Sequence, residues 1–160
     1  MVTPFADHPD GFVVFGLLEP DSTFDIYKAF DRICDAFANI GGAHQHEAPR
    51  STTGNDIWID PEKLGLFVVL LDNVEGVDVA EDSRQLALEL GEATEAAAVA
   101  QCSRRIEFGF QLPDPRGEIF PHFQRLLAVL QTFHGVIFLD PRNPATTLGG
   151  KFTPPPRRRK

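Results

Sequence analysis

His44 and His46 stand one residue apart with Glu47 beside them, in the stretch HQHE (44–47). Histidines at i and i+2 of a strand put both imidazoles on one face, where their ring nitrogens could share a metal ion or pass a proton. A metal needs a third ligand. Glu47 points to the opposite face of a regular strand, and Asp56 and Asp60 become candidates only through the fold. Two solvated histidines at a strand end are the simpler reading, and a metal-binding protein or metal-dependent enzyme built on His44 and His46 is the alternative.

No other chemistry has its usual signature. The chain has no GxSxG elbow, P-loop or GxGxxG fingerprint, and TLGGKF (147–152) lacks the spacing of a phosphate loop. Cys34 and Cys102 are its two cysteines; they form no CxxC pair and read as small buried residues. His122 and His134 flank the apolar side of a helix, where packing or capping explains them. In LDPRNP (139–144), Asp140-Pro141 and Asn143-Pro144 are turn dipeptides, and Arg142 either belongs to that turn or faces an anionic ligand. The expectation leans away from catalysis and names no catalytic residue, although active sites can be assembled in space rather than in order.

The most concentrated feature is acidic. From Asp72 to Val99 the acids are Asp72, Glu75, Asp78, Glu81, Asp82, Glu89, Glu92 and Glu95, opposed by Arg84 alone. On one continuous helix from about Val77 to Ala100, the six from Asp78 to Glu95 fall on a broad arc. That arc lies beside a narrow stripe of Val79, Ser83, Leu86, Leu90, Ala93 and Ala97. Such an arc is either a solvated face, with Asp78, Glu81 and Asp82 favouring the positive helix end, or a docking surface for a basic protein.

The elements that must position these residues follow from periodicity. GFVVFGLL (11–18) reads as a buried strand. A helix follows, capped by Asp21 or Ser22 with Asp25 three or four residues on near its positive end, with Tyr27, Phe30, Ile33, Cys34 and Phe37 at helical spacing and Gly41-Gly42 as its stop. AHQHEA and NDIWID are short strand candidates around the turn-rich PRSTTG. LGLFVVLLD (64–72), apolar on both faces, reads as a central strand. SRRIEFGFQL (103–112) alternates Ile106, Phe108, Phe110 and Leu112 with polar or Gly positions, the pattern of a half-buried strand. A helix over about 118–133 and a strand over 136–140 complete the order.

The fold class expected is α+β: a ferredoxin-like βαββαβ two-layer sandwich made by the first six elements, extended by a C-terminal helix and strand. Three long helices on one face is crowded, so a three-layer arrangement is the alternative. Residues 1–150 form a single α+β domain and 151–160 a flexible Pro/Arg-rich tail. Fourteen of the 160 residues are Phe, against one Tyr and one Trp, which points to an interior built from rings that need no polar partner.

Charge narrows the function. The net charge is −8, and four of the 15 basic residues are the last four, leaving 11 against 23 acids in residues 1–156. An acidic body repels phosphate backbones, which argues against nucleic-acid binding by the body. With no signal-like segment and no apolar run approaching 18 residues, no membrane association is expected and the location expected is cytoplasmic. The leading expectation is a non-catalytic protein-binding module that recognises a basic partner through Asp78, Glu81, Asp82, Glu89, Glu92 and Glu95. Its concrete form is an immunity or antitoxin-type inhibitor, by analogy of size and charge alone. No cofactor is expected apart from the metal of the alternative.

Overall fold

In the computed structural model, residues 11–38, 48–72 and 76–155 are described. β1 (Phe12–Leu18) alternates its side chains between two covered faces: Phe12, Val14 and Leu18 enter one apolar cluster, and Phe15 and Leu17 another. Asp25 caps α1 (Ile26–Phe37), its Oδ1 accepting the amides of Tyr27 and Lys28 at 2.9 Å each. The buried face of α1 is Ile26, Ala29, Ile33 and Phe37; Tyr27, expected on that face, is 71% exposed. The cap is Asp25 rather than Asp21 or Ser22, and the buried face runs through Ile26 and Ala29, one residue round the helix from Tyr27.

β2 (Asp56–Ile59) and β3 (Leu66–Leu71) pair antiparallel, Ile57 opposite Val68 and Trp58 opposite Phe67. α2 (Val79–Leu90) and the short α3 (Ala96–Ala100) replace the single helix expected there, because Gly91 leaves helical geometry at φ 59°. β4 (Arg104–Phe110), α4 (Phe120–Leu130), β5 (Val136–Leu139) and α5 (Pro144–Thr147) follow. Pro121 sits in the first turn of α4, where its missing N–H costs nothing.

The five strands form one antiparallel sheet in the order β2-β3-β4-β1-β5. β4, not β3, is its middle strand, and both of its faces are buried. It lies very close to β1: a Cβ on Gly109 would stand 1.7 Å from the carbonyl oxygen of Phe12, so only glycine fits. β2 is one edge, with the outer N–H and C=O of Trp58 taken by Arg50. β5 is the other, and its Phe138 carbonyl accepts the amide of Gly149.

The helices lie on both faces, so the molecule has three layers rather than two. α1 and α4 pack together over Val14, Ile106, Phe108 and Phe110. α2 covers the opposite face, with Leu86 and Leu90 against Phe15, Leu17 and Leu139. The helix after β3 therefore does not share a layer with α1, contrary to the expectation from the first six elements; α4 takes that place. A polar corner ties the two βα units on that side. Glu19 N–H donates to Gly135 O at 2.9 Å, and His134 N–H donates to Thr23 Oγ1 at 2.8 Å. His134 contributes backbone there, and its side chain is exposed.

The α1/α4 side is the Phe-built interior. Phe123, fully buried, has the rings of Phe12, Phe108, Phe110, Phe120 and Phe152 within 5.0–6.2 Å. Phe152 belongs to the segment expected to be a free tail. Its half-buried ring instead packs on this cluster, so the chain stays on the body to at least that residue. No helix among the described residues is long and apolar enough to cross a membrane. Phe123→Ala is expected to cost about 3–5 kcal/mol through lost burial and a residual cavity, measured by denaturant unfolding.

Candidate functional site

The acidic region divides when its side chains are placed. Asp78 caps α2 by accepting Glu81 N–H at 3.0 Å, and Glu81 pairs with Arg84 on the surface. Asp78, Glu81 and Glu89 are exposed on α2; Glu92 and Glu95 are exposed beyond the break at Gly91. The single arc expected from one long helix is thus two short segments meeting at a turn. Among the exposed acids stands Leu88, 82% exposed, seven residues after Glu81 and four after Arg84 on the outward face. Asp82 departs from the expected set. It lies three residues after Val79 and four before Leu86, inside the buried stripe, and is turned toward the sheet.

Beneath α2, Asp82 meets an ion cluster that sequence reasoning missed. Arg105, fully buried on β4, donates from Nη1 to Asp82 Oδ2 at 2.8 Å. Its Nε and Nη2 both donate to Glu107 Oε2, at 3.1 and 2.8 Å. The guanidinium also lies over the Phe15 ring, 4.1 Å from its centroid. Arg105 and Glu107 are i and i+2 on β4, so both point away from the phenylalanine face. Glu107 Oε1 is buried without a hydrogen-bond partner, and so is Ser83 Oγ on α2.

Among the described residues the cluster holds one guanidinium against two carboxylates. Burial pushes the Glu107 carboxyl up to about 7, and the Asp82 charge pushes the same way; Arg105 opposes both and loses. Near neutrality Glu107 therefore carries a proton part of the time. Cys102, in the apolar cluster with Phe15, is pushed up to about 12 by burial and the nearby Glu19, and stays a thiol.

A second carboxylate has a different fate. Asp56 is buried at the start of β2, and burial alone would raise its pKa. Donors from Thr52, Thr53 and Trp58 outweigh that and hold it well below the usual carboxylate range. All of these donors lie within four residues of Asp56. It organises the STTG turn and is spent on it, which removes it as a candidate third metal ligand. Asp60 is also buried, with φ 45°, and its carbonyl accepts the amides of Lys63, Leu64 and Gly65 in the turn into β3. Arg142 does not stand ready for an anion: its Nε and Nη2 both bond Asp140, at 3.0 Å each.

His44, His46 and Glu47 lie outside the described residues, as do Glu75 and the terminal PRRRK. Among the described residues no group of three or more His, Cys, Asp or Glu side chains is placed to hold a metal ion. Among the described residues the fold is α+β with one five-stranded antiparallel sheet. No protein-family model, curated protein or solved structure matches the chain.

Asp82→Ala is expected to destabilise by about 1–3 kcal/mol, because it removes one acceptor from a buried guanidinium that Glu107 still holds, whereas Glu89→Ala on the outer face is expected to stay within about 0.5 kcal/mol. Denaturant unfolding at one pH separates the two. The pH dependence has a definite sign. Folding raises the pKa of Glu107, so the folded chain binds the proton more tightly than the unfolded one. That stabilisation is full below the ordinary glutamate range and disappears as pH rises through about 7. Glu107→Gln is expected to flatten this slope and, at pH 8, to leave the protein up to about 3 kcal/mol more stable than wild type, by unfolding curves from pH 5 to 8.

Proposed function

We propose that the chain is a non-catalytic protein-binding module that recognises a basic partner protein through the outer face of α2 and the turn beyond it. The observation that carries this reading is the exposed set Asp78, Glu81, Glu89, Glu92 and Glu95 along α2 and the turn beyond it, with the exposed Leu88 on the same helix and Arg84 the one base between them in sequence. An exposed leucine on an acidic helix offers an apolar anchor inside a field that steers a basic surface toward it. Asp82 takes no part in that surface; it fixes α2 to the sheet. Inhibition of a basic enzyme, in the manner of an immunity or antitoxin protein, is the concrete form this module would take, in the cytoplasm.

The scaffold fits a ferredoxin-like reading with its parts reassigned. β1-α1-β3-β4-α4-β5 follows the βαββαβ order, with strands arranged β3-β4-β1-β5 and both helices on one face. β2 is then an added edge strand, and α2 with α3 an excursion between the two middle elements, carrying the proposed surface onto the opposite side. The metal-binding alternative keeps only the spacing of His44 and His46 behind it, and elemental analysis of purified protein decides it.

Affinity capture at low and high salt provides the test. A basic protein should be retained at low salt, released at high salt, and lost with Glu89→Lys combined with Glu92→Lys. Leu88→Ala should weaken that capture tenfold or more without lowering the melting temperature. Capture that survives the charge reversals sinks the proposed surface.

A further inference from the structure

The ion cluster joins two layers of the molecule. Asp82 and Ser83 belong to α2, while Arg105 and Glu107 belong to β4, the middle strand of the sheet. Ser83, Arg105 and Glu107 are fully buried and Asp82 nearly so, which leaves the cluster largely shut off from water while α2 is docked. With both acids ionised the cluster holds two negative charges against one positive. Oε1 of Glu107 would then be a buried charged oxygen with no donor. One proton on Glu107 removes that charge and leaves Asp82 and Arg105 as a neutral pair.

We propose that Arg105, Glu107 and Asp82 form a proton-operated latch between α2 and the sheet, closed when Glu107 is protonated and loosened when it ionises. The surroundings leave Glu107 as the group that responds. On its own strand it faces Arg105, and from α2 it faces Asp82 and the uncharged Ser83. Its cross-strand neighbours are Phe15 on β1 and Val69 on β3, neither of them titratable. Asp56 is the next residue across the sheet beyond Val69, already ionised by its turn donors. Cys102, in the Phe15 cluster, stays a thiol throughout.

α2 packs with α3 and α5 on the side of the sheet opposite α1 and α4. It makes no entry into the phenylalanine interior, and its apolar contacts with the sheet are Leu86 and Leu90 against Phe15, Leu17 and Leu139, and Val79 against Leu71 and Val69. The α1/α4 layer retains its own packing if α2 lifts. Loosening α2 also disperses the exposed acids and Leu88, so a partner docked there would bind less tightly as pH rises toward 7. That consequence rests on the docking reading above; the latch does not.

Amide hydrogen exchange on the full chain, at several pH values from 5 to 8 and corrected for the intrinsic rate, tests the latch without any partner. The amides of Leu86 to Leu90 should be less protected than those of α4, showing that α2 opens below the global unfolding level. Their protection should fall by about tenfold per pH unit as pH approaches 7 and level off above it, as one linked proton requires. The midpoint should coincide with the titration of the Glu107 carboxyl followed by carbon-13 NMR. In Glu107→Gln the slope should vanish. Protection of α2 that is flat with pH, or equal to that of α4 at every pH, overturns the latch, as does a slope unchanged by Glu107→Gln. If that variant does not fold, the wild-type slope and its agreement or disagreement with the Glu107 titration decide.

Discussion

A guanidinium removed from water must find its compensation inside the protein, and the position of Arg105 sets that requirement at the centre of the sheet. Its neighbours are explicable from this one constraint. Glu107 follows two residues later because only that spacing on a strand puts a carboxylate beside it on the same face. Asp82 occupies a position in α2 that would otherwise be apolar. Phe15 offers a ring face rather than an aliphatic edge. Buried ion clusters of this kind contribute little net stability, since desolvation offsets most of the attraction. What the cluster supplies is registry: α2 satisfies Arg105 only when Asp82 stands over it.

The two faces of the sheet are thus held by different physics. On the α1/α4 side, rings pack against rings with no polar atom to satisfy, and the interaction is indifferent to pH and salt. On the α2 side, fewer apolar side chains surround the charges, and attachment depends on their protonation. The same strand serves both. Ile106, Phe108 and Phe110 look one way while Arg105 and Glu107 look the other. A chain with its interior divided like this has a stable layer and a responsive layer, with the exposed acids carried on the responsive one.

Much of this was legible in the sequence, and the exceptions have physical causes. All five strands and the three longer helices follow from periodicity, and the surplus of Phe foretold the ring-built interior. The alternation of charged and apolar residues in β4 suggested a solvent-facing side, because periodicity reports that two faces differ and not what covers the second. The signal that could have corrected it was in α2. Ser83 and Asp82 both sit within the apolar stripe, and a polar pair there implies a polar partner across the interface. The break at Gly91 was readable from a glycine in mid-helix, but the long small-residue stripe concealed it. The exposure of Tyr27 follows from a buried stripe through Ile26 and Ala29, a phase that Phe30, Cys34 and Phe37 alone leave open. Of the candidate site, the outer acids were visible from composition, whereas the cluster beneath them required the third dimension.

The edges of the sheet have a consequence for how copies or partners can approach. β2 and β5 are four residues each, and both already spend part of their outward hydrogen bonding on their own chain, at Arg50–Trp58 and at Gly149–Phe138. A visiting strand would find only a short and partly occupied ladder at either side. Sheet extension, the common route from a free edge to dimers, domain swapping or fibres, is therefore unfavourable here. Recognition is left to side chains on the helical layers, where specificity is set by shape and charge rather than by the sequence-blind pairing of backbones.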